Sequence, residues 1–156
     1  AFRRKQDTLH FIKKAEKDTL AVYKYPEGTL VDLNEADTTE LKKIPGIGSG
    51  IARMIVAYRK RLGGFYDMAQ LKEVNYVDED MLRWFKLGNA PIHRINANKA
   101  GLDKLRSHPY MNFYQAKVII EYRRKKGKLK SLSQLSLYEE FTEKDLERLS
   151  HYLAFD

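Results

Sequence analysis

The chain of 156 residues contains no cysteine, so disulfides and cysteine-ligated zinc or iron–sulfur centres are excluded from its chemistry. It also has no run of about 18 apolar residues, the length that a membrane-crossing helix needs. Ala1-Phe2-Arg3-Arg4-Lys5 opens without the apolar stretch of a signal peptide, and no membrane contact is expected of this segment. A phosphate-binding Gly-Lys-Ser/Thr loop, a nucleophile elbow and a Ser-His-Asp pattern are missing too. The four histidines (His10, His93, His108, His151) are scattered without ligand spacing, so neither a metal site nor catalytic residues are expected. What is abundant is positive charge. Twenty-nine Lys and Arg against 21 Asp and Glu give a net charge of +8, which suits an anionic partner.

Shifted by 64 residues, the sequence matches itself: Leu41, Pro45, Ala52, Ile55, Tyr58, Arg59, Gly63 and Leu71 fall on Leu105, Pro109, Ala116, Ile119, Tyr122, Arg123, Gly127 and Leu135. Upstream, Leu33-Asn34 aligns with Ile95-Asn96, which implies a two-residue insertion in the second copy. The expected organisation is an N-terminal extension over 1–30, a module over 31–92 and a second over 93–156. Apolar spacing and capping signals predict helices over 37–44, 49–62, 67–74 and 79–87, and then over 99–107, 113–126, 131–137 and 142–153. A short helix over 8–18 and an extended lead-in over 20–25 complete the expectation. No alternating pattern is strong enough to predict a sheet.

Within the first copy, Leu41-Lys-Lys-Ile44 runs into Pro45-Gly46-Ile47-Gly48, and a helical pattern resumes with Ala52, Ile55 and Val56 on one face. The two glycines permit a tight turn with positive φ, whose N–H groups sit at the positive end of a helix dipole and suit a phosphate oxygen. This hairpin resembles the helix-hairpin-helix motif of DNA-binding proteins that ignore base sequence, and residues 31–74 resemble the ComEA family of competence DNA receptors. The resemblance implies an all-α fold of two tandem helix-hairpin-helix pairs, small SAM-like or ComEA-like bundles. It implies DNA as partner, double-stranded by expectation, with other DNA-uptake or envelope proteins and an envelope location for the parent protein. Pro45, Gly46, Ile47, Gly48, Ser49, Gly50 and Arg53 are the expected phosphate contacts. The resemblance also allows a potassium or sodium ion on the hairpin carbonyls, and implies no other cofactor.

In the second copy His108-Pro109-Tyr110-Met111-Asn112 replaces both glycines, so that hairpin is expected to be structural. The inner echoes Asn75–Asp78 and Glu139–Thr142 lack the glycines and carry acids that repel phosphate. Charge offers a second contact: Arg59, Lys60 and Arg61, with Arg123, Arg124, Lys125, Lys126, Lys128 and Lys130, form candidate basic patches at helix C-termini. Bifunctional glycosylases that resemble this hairpin carry a catalytic lysine two residues after the second glycine, where this chain has Gly50, so an enzyme is not expected. The alternative from another class is a protein-interaction scaffold that has lost most of its phosphate sites.

Overall fold

The computed structural model describes residues 23–156; the helix expected over 8–18 lies outside them. The protein is predominantly helical. The first half runs from β1 (Val31–Asp32) through α1 (Thr38–Leu41) and the 14-residue α2 (Ser49–Leu62). It continues through 3-10 turns at Met68–Glu73 and Glu79–Trp84 into β2 (Phe85–Lys86). The second half repeats the plan with β3 (Ile95–Asn96), α3 (Leu102–Arg106), α4 (Phe113–Lys126), a 3-10 turn at Leu132–Leu135, α5 (Glu143–Leu149) and β4 (Leu153–Ala154).

Four joints share one hydrogen-bond pattern. Ile47, Val77, Met111 and Phe141 each donate their N–H three residues back, to Ile44, Val74, His108 and Tyr138. Those four residues donate in turn to Leu41, Leu71, Leu105 and Leu135, all four of which are fully buried. Each joint is therefore a hairpin pinned to the core by a leucine three residues ahead of the turn. Among the described residues the chain forms four such hairpins, arranged as two pairs.

Several expectations are corrected. The helices predicted over 67–74, 79–87 and 131–137 are short 3-10 turns, and the one over 142–153 stops at Leu149. Beyond the last helical turn of each half the chain extends and pairs: β1 lies parallel to β2, with Val31 opposite Phe85, and β3 parallel to β4, with Ile95 opposite Leu153. Two-residue ladders carry too little alternation to show in sequence. The two-residue insertion is also absent, because the register of 64 holds through the N-terminal side chains. Asn34 donates to Phe65 O and accepts from Phe65 N–H; Asn98 does the same with Leu129. The extra residues of the second copy lie instead in its last helix, where α5 replaces a 3-10 turn.

A buried polar network joins the halves. The Gln70 amide group donates to the hydroxyls of Tyr110 (2.9 Å) and Tyr152 (2.7 Å), and Tyr152 donates to Gly64 O at 2.7 Å. His108 lies 2.8 Å from Leu62 O through Nε2 and accepts the Tyr110 N–H at Nδ1. That pairing defines one neutral tautomer with both ring nitrogens satisfied. Burial pushes its pKa down to about 4. Burial and the Glu73 carboxylate together raise the Tyr110 phenol well above its ordinary range. Tyr110, in place of the first hairpin's Gly46, is a buried strut between the halves.

Candidate nucleic-acid interface

Three of the four helical segments that follow hairpins are closed by their own sequence. The Asp78 carboxylate accepts from Met81 N–H, the Asn112 amide oxygen from Gln115 N–H and the Thr142 hydroxyl from Asp145 N–H. Gln115 and Asp145 reach back to the Asn112 and Thr142 N–H groups, completing capping boxes. Each cap takes up one or two of the four donors that a helix N-terminus leaves over, and sets an acceptor side chain at the turn.

α2 is the exception. Its capping position is Gly48, which has no side chain to accept, and its third residue is Ile51, which has none to reach back. Consequently the N–H groups of Gly46, Gly48, Ser49, Gly50 and Ile51 donate to no acceptor among the described residues. Gly46, Gly48, Ser49 and Gly50 are all exposed. Five open amides at the positive end of a 14-residue helix form an anion-receptive surface.

The two glycines serve different ends. Gly46 has φ +89°, a left-handed conformation that costs other residues roughly 1–2 kcal/mol, so glycine is favoured there; the second hairpin holds Tyr76 at φ +69° in the matching position. Gly48 has φ −93° and ψ −175°, ordinary extended backbone, and an added Cβ would meet nothing within 4 Å. The expectation of positive φ is therefore corrected at Gly48. Its contribution is an uncovered amide. Gly50, also open around its Cα, extends the same clear ground.

The structure sorts the remaining expected contacts. Ile47 is fully buried and its N–H is spent on Ile44 O, so it anchors the hairpin and offers no donor. Pro45 is exposed but has no N–H. Arg53 is exposed one turn beyond Ser49, on the same helix edge as the open amides.

The basic patch is divided. Arg59 donates to Leu33 O (2.9 Å) and Ala36 O (2.7 Å), and burial lowers its pKa. Arg123 makes the matching bonds to Ala97 O and Ala100 O. The expectation that both join a phosphate-facing patch is corrected: each staples the strand-to-helix segment to the long helix. Lys60 and Arg61 are exposed, but at about 1.5 Å per residue they lie roughly 15 Å along α2 from Gly50. Arg124, Lys125, Lys126, Lys128 and Lys130 are exposed at the corresponding end of α4.

One charged residue escapes sequence reasoning. Lys24 Nζ lies 2.6 Å from Lys42 O, 3.5 Å from Ile44 O and 3.4 Å from Ile47 O, directly against the hairpin. It sits about 20 residues upstream, in a stretch with no repeat partner, and nothing in the local pattern announces it.

The model of the helix-hairpin-helix motif matches residues 27–84 and again 91–154. The chain belongs to the helix-hairpin-helix family, whose motif points to DNA binding without base-sequence preference. Among curated proteins it is similar to endonuclease/exonuclease/phosphatase family domain-containing protein 1 of mouse, at 27% identity over 154 aligned positions, covering 78% of this chain and 27% of the relative. The rat protein matches identically, and that of Xenopus laevis is 25% identical over 146 positions, covering 78% of this chain and 26% of the relative. The chain thus spans about a quarter of the length of the curated relatives it matches. No solved structure matches it. The expectation that an enzyme is not present is contradicted by these relatives, whose names include an endonuclease/exonuclease/phosphatase family domain.

Proposed function

We propose that this tandem holds duplex DNA for a nuclease-related protein, gripping one sugar–phosphate backbone through the hairpin that opens α2. The observation that carries the reading is the uncapped start of α2 beside three self-capped counterparts. Amides recognise phosphate geometry and ignore base edges, so binding would be insensitive to sequence. Arg53 adds a charge on the same edge, and the exposed cations from Arg124 to Lys130 supply a second, looser backbone contact. The link to nuclease chemistry rests on the names of the relatives. Use of the same hairpin in DNA uptake, as in the ComEA receptors, rests on the resemblance of residues 31–74.

The test is fluorescence anisotropy of a labelled random-sequence duplex titrated at several salt concentrations. At about −0.9 per neutralised phosphate, a log–log slope of roughly −2 to −4 is expected, equal for unrelated sequences. Absence of binding at low salt would refute the reading.

A further inference from the structure

The three carbonyls facing Lys24 belong to both arms of the first hairpin: Lys42 follows the end of α1 as its C-cap, Ile44 begins the turn, and Ile47 closes it ahead of α2. Such oxygens carry the negative end of the short helix's dipole and attract a cation. An ammonium has three donors and no acceptor, which matches three converging carbonyls. The backbone is fastened alongside, since Tyr25 N–H donates to Lys43 O at 2.7 Å and the Lys43 ammonium lies over the Tyr25 ring. Lys24 is therefore held against the turn by its own neighbour.

A free potassium or sodium ion would require the same oxygens. With the Lys24 ammonium on them, the residues present do not fit an added ion. We infer that Lys24 is a tethered cation that clips the two arms of the hairpin, keeps the amides of Gly46–Gly50 in their phosphate-receptive arrangement and places a positive charge beneath them, so that this hairpin grips DNA without a monovalent metal ion. Lys24 is a positioning residue for the anion site. A covalently supplied cation is present at this hairpin whatever the salt, whereas a free ion must be bound from solution.

The inference rests on the proposed DNA contact, but its cation dependence is readable without DNA. The wild-type chain and Lys24→Met are compared in potassium chloride and in N-methylglucamine chloride at equal ionic strength, by thermal melting alone and by duplex anisotropy. The wild type should melt and bind alike in both salts. Lys24→Met should bind about tenfold more weakly in N-methylglucamine, the size of one hydrogen bond to a charged group. Both its melting temperature and its affinity should recover in potassium, because the ion takes the vacated oxygens. A wild type that needs potassium, a variant equal to the wild type in both salts, or a variant that potassium fails to restore would each overturn the inference. Should the wild type bind no DNA while melting shows the expected salt pattern, the DNA reading falls and the tethered cation stands.

Discussion

Replacing Gly48 by asparagine should stabilise the fold and weaken the hairpin's hold on DNA. The backbone at Gly48 (φ −93°, ψ −175°) nearly superposes in angle on that of Asn112 (φ −98°, ψ 174°), which caps α4. The introduced side chain has open space to enter and can accept from the Ile51 N–H as Asn112 accepts from Gln115. The cap contributes a few tenths of a kcal/mol over glycine. Loss of glycine's freedom in the unfolded chain adds about 0.4–1 kcal/mol. A gain near 1 kcal/mol corresponds to about 2–4 °C in melting temperature for a chain of this size. Binding moves the other way. The cap consumes the Ile51 N–H, and losing one hydrogen bond to a charged phosphate at about 1.5–3 kcal/mol lowers affinity by about 10- to 150-fold. Thermal melting by circular dichroism and duplex anisotropy on the same preparation read both effects. A Gly48→Asn protein that binds DNA like the wild type would refute the assignment of the phosphate site. A destabilised one would refute the equivalence of the four hairpins.

Two further outcomes follow from the core. His108 is neutral when folded, with a pKa near 4 against 6.5 when unfolded, so the unfolded chain binds the extra proton between those values. Its contribution to stability is complete above pH 6.5 and falls as the pH drops towards 4, by at most about 3 kcal/mol; urea denaturation across that window should show the slope, and His108→Gln should flatten it. Arg59→Met should cost about 1.5–3 kcal/mol by releasing two carbonyls while leaving the salt slope of DNA binding unchanged, and a reduced slope would show that Arg59 meets phosphate after all.

The long helices are legible because Ala52, Ile55, Ala116 and Ile119 repeat at helical spacing and glycines stop both runs: Gly63 (φ +94°) and Gly127 (φ +88°) take conformations that favour glycine. The short elements are less so. Four to six residues around one buried leucine satisfy helical spacing whether the turn is α or 3-10. The parallel ladders join residues 54 and 58 positions apart, a pairing that no local pattern encodes. At the site, the hairpin stands out through its glycines, but the same letters conceal a division of labour: Gly46 is favoured by its dihedral angle, and Gly48 by what it leaves uncovered. Arg59 and Arg123 mislead because a cation near a helix C-terminus reads alike whether it faces solvent or folds back on carbonyls. Lys24 leaves no trace at all, since its partners are carbonyls, which carry no sequence signature.

The central claim is that one hairpin of four presents its amides to phosphate. A titration of 15N-labelled protein with a short random-sequence duplex, followed amide by amide, tests it most directly. The account predicts that the signals of Gly46, Gly48, Ser49, Gly50 and Ile51 move first and furthest, while those of Tyr76–Asp78, Tyr110–Asn112 and Glu140–Thr142 stay in place. Equal movement at all four hairpins, or movement confined to another, would contradict it.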